Sequence, residues 1–274
     1  MNDETQLALK GQVALVTGGG RGIGRAIALA LAESGVAVAV VARSAAEVAQ
    51  TVSLIEQGAG RAIGLTLDVT DTMAVERCVS EIESQLGSVN ILVNNAGVSG
   101  PVAPLWEMNS DDWWRTIEVN LRGPMLCAKA VLPSMIQRRT GTIVNVGSYA
   151  GIRADSSIGY GPYATSKAAL VRFSDTLAAS TEEYGVRVFT ISPGLVHTAM
   201  TDEIDVFKLI PEQAWSPPEA AAKLVVRLAM TLGTALNGKF IHVNDDLDQL
   251  LDEQNRILEE GLYTLRLVTL SGTV

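Results

Sequence analysis

The stretch Val13-Ala-Leu-Val16, followed by Thr17-Gly-Gly-Gly-Arg-Gly-Ile-Gly24, decides the fold of this 274-residue chain. The short apolar run is typical of a strand that is buried on both faces of a parallel sheet. The glycines permit a tight turn, and the helix predicted over 22–34 places its positive N-terminus beside it. This strand–turn–helix context predicts a pyrophosphate-binding turn.

Strands and helices continue to alternate as far as about residue 245. Strands are predicted at 13–16, 36–41, 62–67, 90–93, 142–147, 186–192 and 239–243, and helices at 22–34, 45–57, 71–85, 110–138, 162–184 and 217–231. This order implies right-handed βαβ units, and hence a doubly wound, Rossmann-type three-layer α/β sandwich around a parallel sheet. Because no linker-like stretch divides the sequence, we expect one domain over 1–274, with a core over about 8–245.

The C-terminal extension, residues 246–274, carries regularly spaced apolar side chains on an otherwise acidic protein. Its spacing of leucine and isoleucine side chains suits a helix, namely Leu247, Leu250, Leu251, Ile257 and Leu258. Such a surface needs something to pack against. Two alternatives stay open from the sequence, a partner subunit and the core of the same chain.

Charge and composition exclude several classes of function. The 21 Lys and Arg residues against 30 Asp and Glu residues give a net charge of −9, which argues against nucleic acid and against an anionic membrane surface. No apolar run reaches transmembrane length, and the polar N-terminus resembles no signal peptide, so we expect a cytoplasmic protein. Cys78 and Cys127 suit buried helix positions, while His197 and His242 lie far apart, so we expect no metal site.

The end of the second predicted strand bears on the choice of cofactor. Nineteen positions after Gly24 stands Arg43, followed by Ser44, where many dinucleotide folds carry an acidic residue for the ribose 2′-OH. A guanidinium can bind a 2′-phosphate with two hydrogen bonds, and Arg21 lies on the same side of the turn. We therefore expect NADP rather than NAD, the alternative being that Arg43 is a solvated surface side chain.

Tyr163-Ala-Thr-Ser-Lys167 is the candidate acid/base pair. The i, i+4 spacing puts the two side chains on one helix face, and a nearby ammonium favours the phenolate, whose free pKa is near 10. The pair alone is common by chance. However, polar residues follow other strands at the same edge of the sheet, where a doubly wound fold binds its ligands: Asn94-Asn95-Ala96-Gly97, Ser148, Pro193-Gly194 and Thr198.

With these motifs in family order, the chain resembles the short-chain dehydrogenase/reductase family in its single-domain form, including members that act as 3-oxoacyl reductases. The resemblance covers about residues 8–245 and implies a seven-stranded parallel sheet in the order 3-2-1-4-5-6-7. The residues that carry it are Thr17-Gly-x-x-x-Gly-Ile-Gly24, Asp68-Val69, Asn94-Asn-Ala-Gly97, Asn120, Ser148, Tyr163-x-x-x-Lys167 and Pro193-Gly194 with Thr198.

The resemblance also implies roles for these residues. Tyr163 would be the general acid/base, Lys167 would lower its pKa and bind the nicotinamide ribose, Ser148 would orient the substrate oxygen, and Asn120 would help to hold a water in a proton relay. The expected cofactor-binding residues are Gly18, Gly20, Arg21, Gly22, Ile23, Gly24, Arg43, Ser44, Asp68, Val69, Asn95, Ala96, Gly97, Tyr163, Lys167, Pro193, Gly194, Val196 and Thr198.

Three of these residues also have simpler interpretations. Asn120 could be a helix residue that is bonded to backbone, and Asp68 could be a turn or cap residue. Thr198 could cap the helix that follows it, with or without a cofactor contact.

The segment between Ser148 and Tyr163 departs from the family pattern. It spans fifteen positions and is about two residues longer than expected. Its competing hydroxyl groups belong to Tyr149, Ser156, Ser157 and Tyr160. Tyr160 stands seven residues before Lys167 rather than four, so we expect it to line the pocket instead of acting as the acid.

The loops at 98–106 and 198–218 are rich in apolar residues, which favours an apolar carbonyl substrate over a sugar. We therefore expect an NADPH-dependent reductase of ketones or 3-oxoacyl compounds that assembles as a homodimer or homotetramer. Two alternatives remain, an NAD-dependent alcohol or polyol dehydrogenase and a catalytically idle dinucleotide sensor. The intact set of Asn120, Ser148, Tyr163 and Lys167 argues against the sensor.

Overall fold

The computed structural model describes residues 9–153, 160–202, 204–231, 236–269 and 272–273. The alternatives named for Ser156 and Ser157 concern residues outside this description. Both cysteines are buried, as predicted.

A seven-stranded sheet forms the centre of the molecule. Its strands are β1 Val13–Thr17, β2 Ala37–Ala42, β3 Ala62–Thr66, β4 Ile91–Asn94, β5 Gly141–Val146, β6 Val186–Ser192 and β7 Phe240–His242. All neighbouring strands are parallel, and their order is β3-β2-β1-β4-β5-β6-β7. This topology confirms the predicted fold class. A second, two-stranded ribbon, β8 Val268–Thr269 and β9 Gly272–Thr273, lies in the C-terminal extension.

Helices connect the strands and cover the sheet. They are α1 Gly22–Glu33, α2 Ala45–Gln57, α3 Thr72–Gln85, α4 Ser110–Ile117, α5 Gly123–Arg138, α6 Gly161–Thr181, α7 Ala199–Asp202, α8 Pro218–Met230, α9 Leu247–Asp252 and α10 Gln254–Glu259. None of the helices in the described ranges combines the length and the apolar character that crossing a membrane requires.

Two apolar cores lie on opposite faces of the sheet, because successive side chains of a strand point to opposite sides. In β1, Ala14 and Val16 pack with α1, α2 and α8, whereas Val13 and Leu15 pack with α3, α5 and α6. Burial on both faces explains why β1 and β2 are apolar almost throughout. The molecule is therefore the predicted three-layer sandwich.

The helix predicted over 110–138 is interrupted. Between α4 and α5, residues Glu118–Arg122 form a π-helical segment. Pro124 gives a physical reason, because proline has no N–H to donate to the carbonyl four residues earlier, which belongs to Asn120. Asn120 thus lies in the break rather than in a regular helix, and such breaks are frequent at functional sites.

The C-terminal extension packs on its own chain. Leu247, Leu250 and Ile257 are buried in the same core as α1 and α8. The backbone N–H of Phe240 in β7 also donates to the carbonyl of Tyr263 at 2.9 Å, so the extension covers part of the last strand of the sheet. Of the two alternatives, the structure shows the second: the extension packs against the core of the same chain.

Candidate active site

A cleft of about 670 Å³ opens at the carboxyl ends of the parallel strands. It runs from the residues after β2, where Arg43 stands, to Tyr163 and Lys167 on α6. Every predicted cofactor-binding residue lines it except Gly194 and Val196. The catalytic candidates Asn120 and Ser148 are not among the lining residues, although Ser148 forms a hydrogen bond with Tyr163, which is one of them. The assigned roles stay predictions, but most of the predicted residues are brought to one place.

The glycine-rich turn has the geometry that a dinucleotide needs. Gly18 has a φ of +63° and Gly22 has a φ of +54°, a region that residues with a side chain rarely adopt. A methyl group on Gly24 would collide with the carbonyl oxygen of Gly18. Because glycine is needed both for the backbone angles and for close packing of the turn on α1, the turn fits a pyrophosphate at the helix N-terminus.

Side chains from other elements hold this turn in place. The Thr17 hydroxyl accepts from the backbone N–H groups of Asn95 at 3.0 Å and Ala96 at 3.1 Å. The Asn95 amide donates to the carbonyls of Thr17 at 3.0 Å and Gly18 at 3.2 Å. The loop after β4 is thereby fixed to the loop after β1. The family resemblance predicted Asn95 as a cofactor-binding residue, but the sequence did not predict these contacts.

Two further side chains, from α1 and α2, hold the carbonyl of Gly20 in the glycine-rich turn. It accepts from Nε of Arg25 at 3.0 Å and from the Thr51 hydroxyl at 3.1 Å. Thr51 is fully buried on α2. These two residues were not predicted, because a single threonine or arginine within a helix pattern carries no signal of the turn that it supports.

The mouth of the cleft carries two arginines and one carboxylate. Arg21 forms an ion pair with Glu47, with 3.3 Å between Nη1 and Oε1. Arg43 is exposed, and the described residues provide no ion-pair partner for it. The Ser44 hydroxyl accepts from the N–H of Glu47 at 3.3 Å and so caps α2. A 2′-phosphate at this point would meet Arg43, Ser44 and an Arg21 that is already paired.

Asp68 lies further along the same wall and is engaged on both carboxylate oxygens. Oδ1 accepts from the N–H of Thr70 at 3.0 Å, as a turn residue does, and Oδ2 accepts from Nη2 of Arg115 at 2.8 Å. Burial acts to raise the pKa of Asp68, but the hydrogen bonds from Thr70 and Arg115 bring it below its ordinary value. The turn interpretation is correct, and Asp68 still lines the cleft beside Val69.

Lys167 brings a cation into the interior. Its side chain is only 5% exposed, and Nζ donates to the carbonyl of Val146 at the end of β5 at 2.7 Å. Burial lowers the pKa of Lys167 from 10.5 to about 8, because removing the ammonium from water disfavours its charge. The amine thus titrates close to neutral pH, as groups that move protons in active sites often do.

Tyr163 lies beside this amine, with Lys167 Nζ 5.6 Å from the centre of the phenol ring. Pro162 stands in the first turn of α6, where its fixed φ favours the start of a helix. Burial raises the pKa of Tyr163, and a hydrogen bond with Ser148 opposes this rise. The phenol is therefore protonated near neutral pH, with the Ser148 hydroxyl close to it.

The Asn120 amide is fully buried and fully engaged. Its Nδ2 donates to the carbonyl of Val98 at 2.9 Å and to the Ser166 hydroxyl at 3.0 Å, while its Oδ1 accepts from the N–H of Val98 at 2.9 Å. The side chain therefore ties the π-helical segment to the β4 loop and to α6, in agreement with the simpler interpretation. The role in a water relay stays a prediction, and it would fall to the backbone of this residue.

A buried polar chain positions α6 against the sheet. Asn94 donates to Asn145 at 2.8 Å, and Asn145 donates to the Ser174 hydroxyl at 2.8 Å. Buried polar groups need such partners, so the chain fixes the register of β4, β5 and α6. Asn145 and Ser174 were not predicted, since their spacing resembles that of ordinary core positions.

Aromatic rings lead away from Tyr163 into the loop at 198–218. Tyr160 contacts Tyr163 edge-on with ring centres 5.1 Å apart, and Phe207 contacts Tyr160 at 6.1 Å. Trp215 contacts Phe207 at 6.3 Å and stacks on His197 at 3.8 Å. By contrast, several apolar residues of the two loops are exposed, namely Leu105, Trp106 and Leu209.

Thr198 lines the cleft, whereas Val196 is buried beside it. The N–H of Thr201 donates to the Thr198 hydroxyl at 3.3 Å, so Thr198 caps α7 and also lines the cleft. Val196 is buried, and its carbonyl accepts from the Thr201 hydroxyl at 3.0 Å.

The fold and the site together define a class of protein, the Rossmann-type oxidoreductases that bind a dinucleotide. The profile of the short chain dehydrogenase family matches residues 12–208. A short chain dehydrogenase of Pseudocercospora fijiensis is 36% identical over 281 residues, which cover 94% of this chain and 90% of the relative. A 3-oxoacyl-[acyl-carrier-protein] reductase of Vibrio harveyi is 36% identical over 242 residues, which cover 86% and 97%.

Solved structures agree. A short-chain type dehydrogenase/reductase from Mycobacterium marinum has a TM-score of 0.80 at 30% identity, covering 85% of this chain and 94% of the other. A xylitol dehydrogenase with bound NAD+ has a TM-score of 0.77 at 27% identity, covering 85% and 98%. The chain belongs to the short-chain dehydrogenase/reductase family, whose members are oxidoreductases that use a nicotinamide cofactor.

Proposed function

We propose that this chain is an NADP(H)-dependent reductase of apolar ketones or 3-oxoacyl compounds. One observation carries the proposal: the buried Lys167 and the protonated Tyr163 stand together at the inner end of a cleft whose outer end carries Arg43. A phenol thus lies at one end of the cleft and a guanidinium at the other, which supports the assignment of a proton donor and of a cation for the 2′-phosphate.

We assign to the side chains the roles that the family resemblance implies, and their positions support these roles. A nicotinamide bound in this cleft would supply a hydride to the carbonyl carbon of the substrate. Tyr163 donates its phenolic proton to the carbonyl oxygen, which gains negative charge as the hydride arrives. The Lys167 ammonium stabilises the phenolate that remains, and the Ser148 hydroxyl donates a hydrogen bond that orients the substrate oxygen.

NADP is favoured by what stands at the mouth of the cleft. Arg43 is exposed and can form two hydrogen bonds with a 2′-phosphate, while the Ser44 hydroxyl and the N-terminus of α2 add a donor and a partial positive charge.

An apolar substrate is favoured by the rings beside Tyr163. Tyr160 is buried and Phe207 is half-buried, so the side of the site that faces away from the cofactor cleft is aromatic. A 3-oxoacyl reductase of Vibrio harveyi is among the relatives, which agrees with a carbonyl substrate on an acyl chain.

An NAD-dependent polyol dehydrogenase is the second candidate. The Arg21–Glu47 pair reduces the positive charge at the mouth of the cleft, and a relative of similar fold is a xylitol dehydrogenase with bound NAD+. A dinucleotide sensor is disfavoured, since it would have no use for a buried Lys167 beside Tyr163.

A panel of carbonyl compounds tests the proposal. Aryl ketones, alkyl ketones, 3-oxoacyl thioesters and keto sugars are assayed with NADPH and with NADH, following the loss of the reduced cofactor. We expect turnover of the apolar ketones or thioesters and a higher kcat/KM for NADPH. A higher kcat/KM for NADH, with polyols oxidised best in the reverse direction, would favour the second candidate. Inactivity across the panel would favour the sensor.

A further inference from the structure

A carboxylate occupies the wall of the cleft where the cofactor phosphate is expected. Glu47 lies in the first turn of α2, lines the cleft and pairs with Arg21 at 3.3 Å. Its backbone is pressed against the glycine-rich turn, since a methyl group on Gly20 would lie only 2.8 Å from the Cβ of Glu47. This contact fixes the Cα and Cβ of Glu47 beside the turn, and the partly exposed carboxylate reaches Arg21 from there.

The local sequence would allow Glu47 a different partner. Ser44-Ala-Ala-Glu47 is a capping box, in which the glutamate commonly reaches back to the N–H of the capping residue. The Ser44 half of the box is formed, with the hydroxyl accepting from the N–H of Glu47. The Glu47 carboxylate pairs with Arg21 of the neighbouring turn instead, so it joins two elements of the cofactor site.

The Arg21–Glu47 pair affects the binding of the two cofactors in opposite directions. A 2′-phosphate must take Arg21 from Glu47 and then lie near a carboxylate, which repels it. A free 2′-hydroxyl can donate a hydrogen bond to a carboxylate, which is how many dinucleotide sites recognise NAD. The end of β2 has no acid for this purpose, but Glu47 supplies one a single turn further on.

We propose that Glu47 is a specificity-determining residue that weakens the discrimination of this site between NADP and NAD. It does so by holding Arg21 and by offering an acceptor to the ribose of NAD. The inference rests on the proposed preference for NADP, and it adds that this preference is moderate, so that NAD also binds.

Substitution of Glu47 by glutamine tests the inference directly. Glu47→Gln removes the charge and keeps the shape, and calorimetric titration with NADP+ and with NAD+ gives both dissociation constants without any turnover. We expect the ratio of the two constants to shift toward NADP+ by roughly twofold to fivefold, as for the loss of one partly exposed charge contact. The matched control is Glu56→Gln, which removes an exposed carboxylate from the same helix at a distance from the cleft and should leave the ratio unchanged.

A double-mutant cycle with Arg21→Ala separates the pair from a general effect of charge. If Glu47 acts through Arg21, its substitution should change the ratio much less when Arg21 is absent. The shift should also shrink in high salt, because exposed charges are screened. A purely structural effect would instead weaken the binding of both cofactors equally and leave the ratio of their dissociation constants unchanged.

The outcomes distinguish this inference from the proposed function. An unchanged ratio in Glu47→Gln, or an equal shift in Glu56→Gln, overturns the inference whichever cofactor the unaltered protein prefers. An unaltered protein that binds NAD+ more tightly overturns the proposed preference for NADP. In that case a shift toward NADP+ in Glu47→Gln still supports the role of Glu47.

Discussion

At the scale of single residues, Lys167 shows how function and stability oppose each other. Burial lowers its pKa from 10.5 to about 8, which corresponds to roughly 3 kcal/mol of lost stability when the amine is charged in the folded chain. Its hydrogen bond to Val146 returns only about 1 kcal/mol of this.

Replacing this amine should therefore stabilise the fold. We expect Lys167→Met to raise the free energy of unfolding at pH 7 by about 2 kcal/mol while abolishing turnover. Between pH 8 and pH 10.5 the unfolded chain holds a proton that the folded chain lacks, so the unaltered protein gains stability as the pH rises. The advantage of the variant should disappear over this interval, as measured by urea unfolding at a series of pH values.

Lys129→Met is the control, since Lys129 is exposed on α5. The difference in the free energy of unfolding between Lys129→Met and the unaltered protein should stay constant over the same pH series. A Lys167→Met variant that is less stable at pH 7, or whose advantage persists at pH 10.5, would contradict the assignment of a buried, weakened base.

The sequence predicted some residues of the site and missed others for one reason. Tyr163 and Lys167 are four positions apart in one helix, so their pairing can be predicted locally. Arg115 pairs with Asp68 across 47 residues, and Glu47 pairs with Arg21 across 26. Such pairs depend on the packing of whole elements, which no local pattern contains.

At the scale of elements, the glycine-rich turn and α1 form one packed unit. A side chain on Gly24 would meet the Gly18 carbonyl and the Asn95 amide. We expect Gly24→Ala to lower the free energy of unfolding by roughly 2–4 kcal/mol, as overpacking of a rigid site does, and to weaken cofactor binding. Urea unfolding and calorimetric titration measure the two effects.

Gly58→Ala offers a matched control for this prediction. Gly58 ends α2, and a methyl group there would make only ordinary contacts. It should change the free energy of unfolding by less than about 1 kcal/mol. Equal effects of the two substitutions would show that the turn tolerates a side chain and is not tightly packed.

The strands were the most predictable elements, because apolar runs between glycine-rich turns have few other interpretations. The interruption at Glu118–Arg122 was not predicted, although Pro124 gives a reason for it afterwards. Proline is tolerated near the start of a helix, so its position allows either a new helix or a break. Only the packing of Asn120 against Val98 and Ser166 selects the observed geometry.

At the scale of the whole molecule, the C-terminal extension belongs to the core. Ile257 is 1% exposed among residues of α1 and α8, while its neighbour Leu258 is 54% exposed. The sequence left the partner of this segment open because apolar spacing shows that a face is buried but not what buries it. We propose on this basis that residues 1–274 form one domain. The homodimer or homotetramer and the cytoplasmic location stay predictions.

Adjacent residues of the extension provide a matched pair of substitutions. Ile257→Ala should lower the free energy of unfolding by roughly 2–4 kcal/mol, because it leaves a cavity in the shared core. Leu258→Ala should change it by less than about 0.5 kcal/mol. Thermal and urea unfolding measure both, and similar effects for the two variants would contradict the packing described for α10.

In the proposed reaction, Tyr163 donates the proton that accompanies hydride transfer. The most direct test is the rate of NADPH oxidation with the best ketone of the panel by the unaltered protein, Tyr163→Phe and Tyr160→Phe, with the dissociation constant for NADPH measured for each. We expect Tyr163→Phe to lose about a hundredfold or more in kcat while still binding NADPH, as the loss of an acid catalyst does. Tyr160→Phe should keep most of its activity. Turnover by Tyr163→Phe near that of the unaltered protein, or an equal loss in Tyr160→Phe, would contradict the claim.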